Sequence, residues 1–309
     1  MSLQEPPPDT HGPRVTGLVG YPATYSLSPV MHNAGFRALG LPWVYTLFPV
    51  PPARLGAAVE GLRALGIAGF NVTIPHKQAI VPYLDELTPE AARSGAVNTV
   101  ALRDQRLVGF NTDVEGFLRA MQEAGVELAG RRVLVLGAGG AARAVALACL
   151  RAGSARLAVA ARRPERAQEL MGSIGAQAVG IRTAVFSFAP DELSRAMRDS
   201  DVAVNATPLG TAGEGGEALA ALADPGALPA DGVAVDLVYR PAVTPWMRAA
   251  VRAGRISVGG APMLLHQGAL AFEIWTGHRA PLQAMRQALQ AVLGAEAFAP
   301  ACTMPGRAG

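Results

Sequence analysis

The amino-acid sequence predicts an α/β protein built from two αβ domains, and three observations support this. The chain has 309 residues, of which 50% are hydrophobic, so it contains enough apolar residues for two cores. From residue 14 onward, short apolar runs alternate with helix-like segments, which is typical of a mostly parallel sheet. A second series of this kind begins near residue 114 and includes a glycine-rich turn between a strand and a helix.

The first series begins with three short apolar runs that predict buried strands. They are RVTGLVG (14–20), WVYTLFPV (43–50) and IAGFNVTI (67–74). The helix after the first strand is expected to have Ser28 as its N-cap and Pro29 at its first position, and to end at Gly40. Two more helices are predicted, over 53–66 and from Pro75 onward.

The segment AVNTVALRDQRLVGFNTD (96–113) predicts two strands around a polar turn, and hence an antiparallel addition to the sheet. The second series then alternates helix and strand up to the segment GVAVDLVYR. Two final helical segments follow with no strand after them. By pattern alone, these helices could close the second unit or fold back onto the first.

The glycine-rich turn predicts a nucleotide site. It follows the apolar run RRVLVL and opens a long apolar helix, and its residues are Gly137, Ala138, Gly139, Gly140 and Ala141. Glycine permits a tight turn and close approach of the backbone to a pyrophosphate, whose charge is favoured at a helix N-terminus. The spacing departs from the full G-x-G-x-x-G pattern, and a plain tight turn is the alternative interpretation.

The end of the next strand indicates which dinucleotide would bind. An NAD enzyme places an acidic residue there, about 20 residues on, for the ribose hydroxyls. Here the strand is followed by Arg162 and Arg163, with Arg166 one turn later. Guanidinium groups pair well with oxyanions, so these residues favour the 2′-phosphate of NADP. The alternative is a solvated basic turn paired with Glu165 and Glu169.

Lys77 is the only lysine in the chain, whereas the other 26 of the 27 basic residues are arginine. An ammonium group can give up a proton, which arginine does not do in proteins. Proton transfer is therefore one hypothesis for position 77, and chance survival of a surface lysine is the other.

Polar residues collect where the strands of the first half end. They are Ser26, Ser28, Asn71, Thr73, Asn98, Thr99, Asn111, Thr112 and Asp113. Ligands of open αβ sheets bind outside the carboxyl ends of the strands, so this set suits a small polyhydroxylated acid. Each residue alone also has a structural explanation as a cap or turn residue, and Asp113 could cap the helix that follows it.

Composition argues against several classes of partner. The net charge is +3 and no dense basic block occurs, so nucleic acid is not expected. Cys149 and Cys302 are too few for a disulfide framework, and no His or Cys cluster has metal-ligand spacing. No apolar run has the roughly 20 residues of a membrane span, and the first residues do not resemble a secretory signal, so we expect a cytoplasmic protein.

From about residue 15 to 295, the chain resembles the shikimate dehydrogenase family. The ordered motifs that carry the resemblance are YSLSPVMHN, GFNVTIPHK, GAVNT, GFNTD, GAGGAAR, NATPLG, DLVYRPAVTP and GGAPMLLHQGALAFEIW. The resemblance implies an NADP-dependent oxidoreductase that reduces 3-dehydroshikimate to shikimate, in the pathway to chorismate and the aromatic amino acids. It also implies a small-molecule substrate and leaves open whether the chain is a monomer or a homodimer.

The family motifs imply specific roles for residues of this chain. Lys77 and Asp113 would be the catalytic pair. The substrate would be bound by Ser26, Ser28, Thr73, Lys77, Asn98, Asp113, Tyr239 and Gln267. The cofactor would be bound by Gly137 to Ala141, by Arg162, Arg163 and Arg166, and by Leu237 and Gly260 on the nicotinamide side. The family's usual basic motif is N-R-T-x-x-R, so Ala161 and Arg163 depart from it while the arginines remain.

The resemblance also implies a domain division. Residues 14–113 and 260–300 would form a discontinuous substrate-binding catalytic domain, and 114–259 a Rossmann-like NADP-binding domain, with a cleft between them. Residues 1–13 and 301–309 would be loose tails. Two alternatives stay open: an NAD-dependent enzyme that also oxidises quinate, and a non-catalytic sensor of shikimate-type ligands. A sensor is expected to lose the Lys–Asp pair or the glycine-rich loop, and this chain has both.

Overall fold

The computed structural model describes residues 14–175, 180–211 and 215–299. It divides the chain into two compact units, one formed by Met1–Gly116 and Leu265–Val292 and the other by Phe117–Leu264 and Leu293–Gly309. The first unit thus combines two separated stretches of chain, and its limits differ by a few residues from the predicted 113/114 and 259/260. Residues 293–299 belong to the second unit, whereas the prediction placed them with the first. The predicted tails lie outside the described residues.

The first unit contains one six-stranded sheet. Its strands are β1 (Arg14–Gly20), β2 (Trp43–Pro49), β3 (Gly69–Val72), β4 (Glu86–Leu87), β5 (Thr99–Arg103) and β6 (Arg106–Phe110). They lie in the order β2-β1-β3-β5-β6-β4. Strand β1 pairs in parallel with β2 and β3, whereas β5 runs antiparallel to both β3 and β6. The predicted antiparallel addition to a parallel sheet is confirmed.

Of the helices in the described residues, seven have all or part of their length in this unit. They are α1 (Ser28–Ala38), α2 (Leu55–Ala64), α3 (His76–Ala79), α4 (Pro89–Ser94), α5 (Asp113–Glu123), α11 (Ala261–Thr276) and α12 (Leu282–Leu293), the last two being the final helices of the chain. Close packing within the first unit depends on glycines. A side chain at Gly268 would overlap Met31, and one at Gly35 would press on Phe272. These contacts join α11 to α1, so α11 packs on the helix that follows β1.

Two local predictions in the first unit were wrong. Ser28 is the first residue of α1 and not its N-cap, since the cap is Leu27 and makes no side-chain hydrogen bond there. The helix expected from Pro75 onward is only the four-residue α3, followed by a short 3-10 turn over Val81–Tyr83. Pro82 has no backbone N–H to donate to the preceding turn, so the α-helical ladder cannot continue.

The second unit contains a fully parallel six-stranded sheet, of which the second series predicts the first five strands. Its strands are β7 (Arg132–Leu136), β8 (Arg156–Ala161), β9 (Arg182–Ser187), β10 (Val202–Asn205), β11 (Val233–Asp236) and β12 (Ile256–Val258), in the order β12-β11-β10-β7-β8-β9. The helices between them are α6 (Gly140–Arg151), α7 (Pro164–Ile174), α8 (Pro190–Arg198), α9 (Gly216–Leu222) and α10 (Pro245–Arg252). The core is mostly aliphatic around the fully buried Trp246, whose indole N–H donates to the carbonyl of Ala223 at 2.7 Å.

Within the part of the chain that the structure describes, no helix has both the length and the apolar character needed to cross a bilayer.

Candidate active site

The short helix α3 fixes the backbone of Lys77. The ring Nε2 of His76, which is buried, donates to the carbonyl of Val50 at 2.7 Å, just beyond the end of β2. The carbonyl of Lys77 itself accepts the N–H of Val97 at 2.8 Å, just before β5. These two hydrogen bonds therefore hold α3 between the end of β2 and the start of β5, and they fix the backbone from which the Lys77 side chain extends.

Asp113 pairs directly with Lys77. Its Oδ2 lies 2.5 Å from the Lys77 Nζ, and both side chains are largely buried, with 5% and 15% of their surface exposed. Asp113 is the first residue of α5, where an aspartate could have capped the helix. Asn111 takes that role, because its Oδ1 accepts the backbone N–H groups of Asp113 and Val114 at 3.1 and 3.4 Å. The carboxylate is thus free to bind Lys77.

Asn98 holds the other oxygen of Asp113. Its Nδ2 lies 2.8 Å from Asp113 Oδ1, 2.8 Å from Thr112 Oγ1 and 3.2 Å from Gln267 Oε1. Its Oδ1 accepts the backbone N–H of Thr112 at 2.7 Å. Gln267 reaches this group from α11, which approaches α5 closely at Gly116. A Cβ at Gly116 would lie only 2.7 Å from the Cβ of Gln267, so this approach requires glycine. Lys77, Asn98, Asp113 and Gln267 therefore form one hydrogen-bonded group.

Ser26 and Ser28 form a second pair of hydroxyls in the same unit. Their Oγ atoms are 3.2 Å apart, and Ser26 Oγ also accepts the backbone N–H of Ser28. Two converging hydroxyls next to the start of α1 can donate to both oxygens of a carboxylate. Thr73, half-buried, follows β3, and its methyl group occupies the space that a side chain at Gly20 would need. Thr73 thus lies against the end of β1.

The glycine-rich turn has the geometry that a pyrophosphate requires. Gly137 has φ +108°, a conformation that favours glycine, and its N–H donates to the carbonyl of Ala160 at 2.7 Å. Gly139 precedes α6 without a side-chain cap, and a Cβ placed on it would meet no protein atom within 4 Å. No side chain caps the first N–H groups of the 12-residue α6, and uncapped N–H groups of this kind can hold an anion at a helix N-terminus.

The arginines after β8 are exposed. Among the described residues, neither the Arg162 nor the Arg163 guanidinium makes a hydrogen bond or an ion pair, so the predicted alternative of pairing with Glu165 does not occur. Arg166 does pair with Glu169, at 3.0 Å. Two uncommitted guanidinium groups at the end of β8 fit a phosphate, whereas an NAD site would offer an acidic residue there.

The remaining cofactor candidates lie together in the second unit. A side chain at Gly260 would overlap the carbonyl of Leu237, so these two predicted residues are in backbone contact. Tyr239 lies two residues after Leu237, in the second unit, whereas the other predicted substrate residues lie in the first.

Sequence reasoning missed the buried support of this loop. The Asp236 carboxylate accepts the Asn205 Nδ2, the Thr244 Oγ1 and the backbone N–H of Val238, at 2.9, 2.7 and 3.0 Å. Burial raises the pKa of Asp236 to about 6, although these three hydrogen bonds act in the opposite direction. The motifs NATPLG and DLVYRPAVTP contain all three side chains, but only the fold brings them together.

Three family models match consecutive parts of the chain. A shikimate dehydrogenase substrate binding domain matches residues 18–100, and a shikimate 5′-dehydrogenase C-terminal domain matches 260–290. Between them, a saccharopine dehydrogenase NADP binding domain matches 133–258.

Curated relatives and solved structures cover most of the chain. A shikimate dehydrogenase (NADP(+)) from Symbiobacterium thermophilum is 46% identical over 92% of this chain and 96% of its own length. Another, from Rubrobacter xylanophilus, is 50% identical over 89% and 95%. The crystal structure of shikimate 5-dehydrogenase from Thermus thermophilus, in complex with NADP(H) and shikimate, is 38% identical with a TM-score of 0.76, and covers 90% of this chain and 99% of that one.

Proposed function

The chain belongs to the shikimate dehydrogenase family, and we propose that it interconverts shikimate and 3-dehydroshikimate with NADP through the pair formed by Lys77 and Asp113. The observation that carries this proposal is the 2.5 Å contact between the only lysine of the chain and a buried carboxylate. Asn98 and Gln267, both predicted substrate residues, belong to the same hydrogen-bonded group.

The proposed substrate contacts follow from the chemistry of each group. Ser26 and Ser28 would donate their hydroxyl hydrogens to the substrate carboxylate, because their oxygens converge at 3.2 Å. Thr73, Asn98 and Gln267 offer hydroxyl and amide groups that can hold the ring hydroxyls. Binding at several points orients the reacting carbon relative to Lys77, which is a large part of what an active site contributes.

Lys77 is proposed to move the proton. In the reducing direction its ammonium group donates a proton to the oxygen that becomes the new hydroxyl, and in the oxidising direction its amine accepts that proton. Asp113 fixes the position of Nζ through its Oδ2, so that Nζ is held ready for the oxygen on which negative charge develops. The partial burial of both side chains strengthens this pairing relative to water.

NADPH, when bound, supplies the hydride that is transferred to the ketone carbon. The first N–H groups of α6 would hold the pyrophosphate, and Arg162 and Arg163 the 2′-phosphate. Leu237 and Gly260, which are in backbone contact, are proposed for the nicotinamide side, with Tyr239 two residues further along the same loop. An NAD site would place an acidic residue at the end of β8, where this chain has Arg162 and Arg163.

The function is tested by initial rates with shikimate or quinate, each with NADP or NAD. We expect the highest kcat/KM for shikimate with NADP, because the uncommitted arginines fit a 2′-phosphate and the polar group of the first unit fits the hydroxylated acid. Faster turnover of quinate with NAD would contradict the proposed specificity. Ligand binding without any formation of reduced cofactor would favour a sensor.

A further inference from the structure

A line of hydrogen bonds runs from the catalytic pair into the core of the first unit. Its members, which we call the inner network, are Tyr45, Asn71, Thr99 and Asn98. The Tyr45 hydroxyl donates to Asn71 Oδ1 at 2.8 Å, and Asn71 Nδ2 donates to Thr99 Oγ1 at 3.0 Å. Thr99 Oγ1 donates to Asn98 Oδ1 at 3.2 Å, and Asn98 Nδ2 donates to Asp113 Oδ1 at 2.8 Å.

The partners of the two amides fix their orientation. Asn98 must turn its oxygen towards Thr112, because the backbone N–H there can only donate, and this leaves its nitrogen facing Asp113. Asn71 must turn its nitrogen towards the carbonyl of Asn98, 3.1 Å away, because that group can only accept. The oxygen of Asn71 therefore faces Tyr45. Thr99 Oγ1 also lies 3.3 Å from Thr112 Oγ1, but that hydroxyl can itself donate, whereas Asn98 Oδ1 can only accept. With the Thr99 hydrogen on Asn98 Oδ1, every bond in the network points in one direction.

The common direction of the bonds allows the network to strengthen the hydrogen bond that Asp113 accepts. Tyr45 donates to Asn71, and each of the other three members accepts from one neighbour and donates to the next, so that the line ends on the negatively charged Asp113. Hydrogen bonds arranged in this way polarise and strengthen one another, most of all where water is excluded. Every member is at most 4% exposed. The last bond therefore gains strength from the first, although Tyr45 and Asp113 are far apart in sequence.

Aromatic packing holds the outer end of the network. The ring of Tyr45 stacks on His32, with centroids 4.4 Å apart and planes 8° from parallel. Trp275 lies 6.0 Å from the Tyr45 ring and donates its indole N–H to the carbonyl of Val100, in the same strand as Thr99. The Asn33 side chain makes two hydrogen bonds with the backbone of Tyr45, donating to its carbonyl at 2.9 Å and accepting its N–H at 2.8 Å. The phenol oxygen is thus fixed in position.

We propose that Tyr45 is a positioning residue of the catalytic site: its hydroxyl, acting through Asn71, Thr99 and Asn98, fixes the Asp113 carboxylate so that Oδ2 faces Lys77. This inference rests on the proposed function of the Lys77–Asp113 pair. It assigns a role to a residue that does not touch the pair and that lies on β2, a strand without any other site candidate.

The direct test is Tyr45→Phe, which removes the hydroxyl and keeps the ring that packs on His32. Loss of one neutral hydrogen bond from the line should lower kcat for shikimate about three- to tenfold. The KM for NADP should stay unchanged. Thr99→Val, which keeps the shape of the side chain and breaks the same line, should lower kcat at least as much. An unchanged kcat in both variants would overturn the proposal.

A matched control separates this effect from the general loss of a buried hydroxyl. Thr276 is buried in the same unit, and its Oγ1 donates to the carbonyl of Phe272 at 2.8 Å, outside the inner network. Thr276→Val should leave kcat at the wild-type value. If Thr276→Val lowered kcat as much as Tyr45→Phe does, the loss of any buried hydroxyl in this unit would reduce activity through lower stability, and the proposal would be rejected.

A double-mutant cycle with Asp113→Asn shows whether Tyr45 acts through Asp113. If it does, Tyr45→Phe should have almost no further effect on kcat once the carboxylate is gone. If the two substitutions instead lower kcat by independent factors that multiply, the proposal is overturned, whereas the proposed role of the Lys77–Asp113 pair still stands. If Asp113→Asn alone leaves kcat unchanged, the proposed function itself fails, so the two failures are distinguishable.

Discussion

At the scale of single residues, neighbours decide the role of Asp113 more than its type does. An aspartate at the start of a helix commonly caps it. Here Asn111 caps α5, and Lys77 and Asn98 occupy one carboxylate oxygen each. The family motif predicted the pairing of Lys77 with Asp113 from sequence. Residue type alone left the choice between capping and pairing open, because it depends on whether Asn111 or Asp113 reaches the helix N–H groups.

Tyr45 marks the limit of prediction at this scale. Strand alternation could predict that its ring is buried between the exposed Val44 and Thr46. The partner of its hydroxyl, Asn71, lies on another strand, two places away in the sheet order, and no sequence pattern links the two. A buried tyrosine usually finds a hydrogen-bond partner, but only the fold determines which one.

His32 leads to a prediction about acid stability. Its ring is fully buried, and this burial lowers its pKa to about 3, an effect larger than that of the nearby Asn71 amide. Below about pH 6.5 the unfolded chain therefore binds a proton that the folded chain does not, and stability falls as the pH drops. Between about pH 7 and pH 5 this residue should reduce the free energy of unfolding by about 2 kcal/mol.

The measurement compares urea unfolding of the wild type and His32→Phe at both pH values. Phenylalanine keeps an aromatic ring against Tyr45 but cannot titrate, so the wild type should lose more stability than the variant on acidification. Equal losses in the two proteins would contradict the account of His32.

At the scale of elements, long segments with a clear period were predicted well and very short ones were not. The parallel strands of the second unit and the β5–β6 hairpin were predicted from sequence. The turn of that hairpin is made by Asp104 and Gln105, with φ of 48° and 63°. Strands β4 and β12 were not predicted, since two or three residues are too few to carry a period of two. Their pairing comes from neighbouring strands.

The end of β8 and the start of α7 give a prediction for cofactor choice. Arg162→Ala combined with Arg163→Ala should raise the KM for NADP at least about tenfold, because both proposed charge-assisted contacts to the 2′-phosphate are lost. The KM for NAD, which lacks this phosphate, should change little. Arg252→Ala, at an exposed arginine elsewhere in the second unit, is the matched control and should affect neither cofactor. Equal effects of the double variant on NADP and NAD would show that these arginines do not read the phosphate.

At the scale of the whole molecule, the chain leaves its first unit after Gly116 and returns to it at Leu265. Sequence pattern alone left the place of the last two helices open, because an apolar helix face fits any core of suitable shape. Close contacts decide the place of α11. A Cβ at Gly116 would overlap Gln267, and one at Gly268 would overlap Met31, so glycine at both positions allows α11 to pack in the first unit. These contacts bring Gln267 to Asn98, 169 residues away in sequence, which no local period could have predicted.

The division into two units, with Lys77 in one and the glycine-rich turn in the other, gives the sharpest test of the central claim that Lys77 transfers the proton. The measurement is kcat of Lys77→Arg with shikimate and NADP, together with NADP binding and the thermal midpoint. Arginine stays protonated and carries a wide planar head, so kcat should fall at least about 100-fold. NADP binding and the thermal midpoint should stay close to wild type. Arg106→Lys, at an exposed arginine of the first unit, is the control for basic exchange and should keep full activity. If Lys77→Arg retained more than about half of the wild-type kcat, the acid–base role of Lys77 would be contradicted.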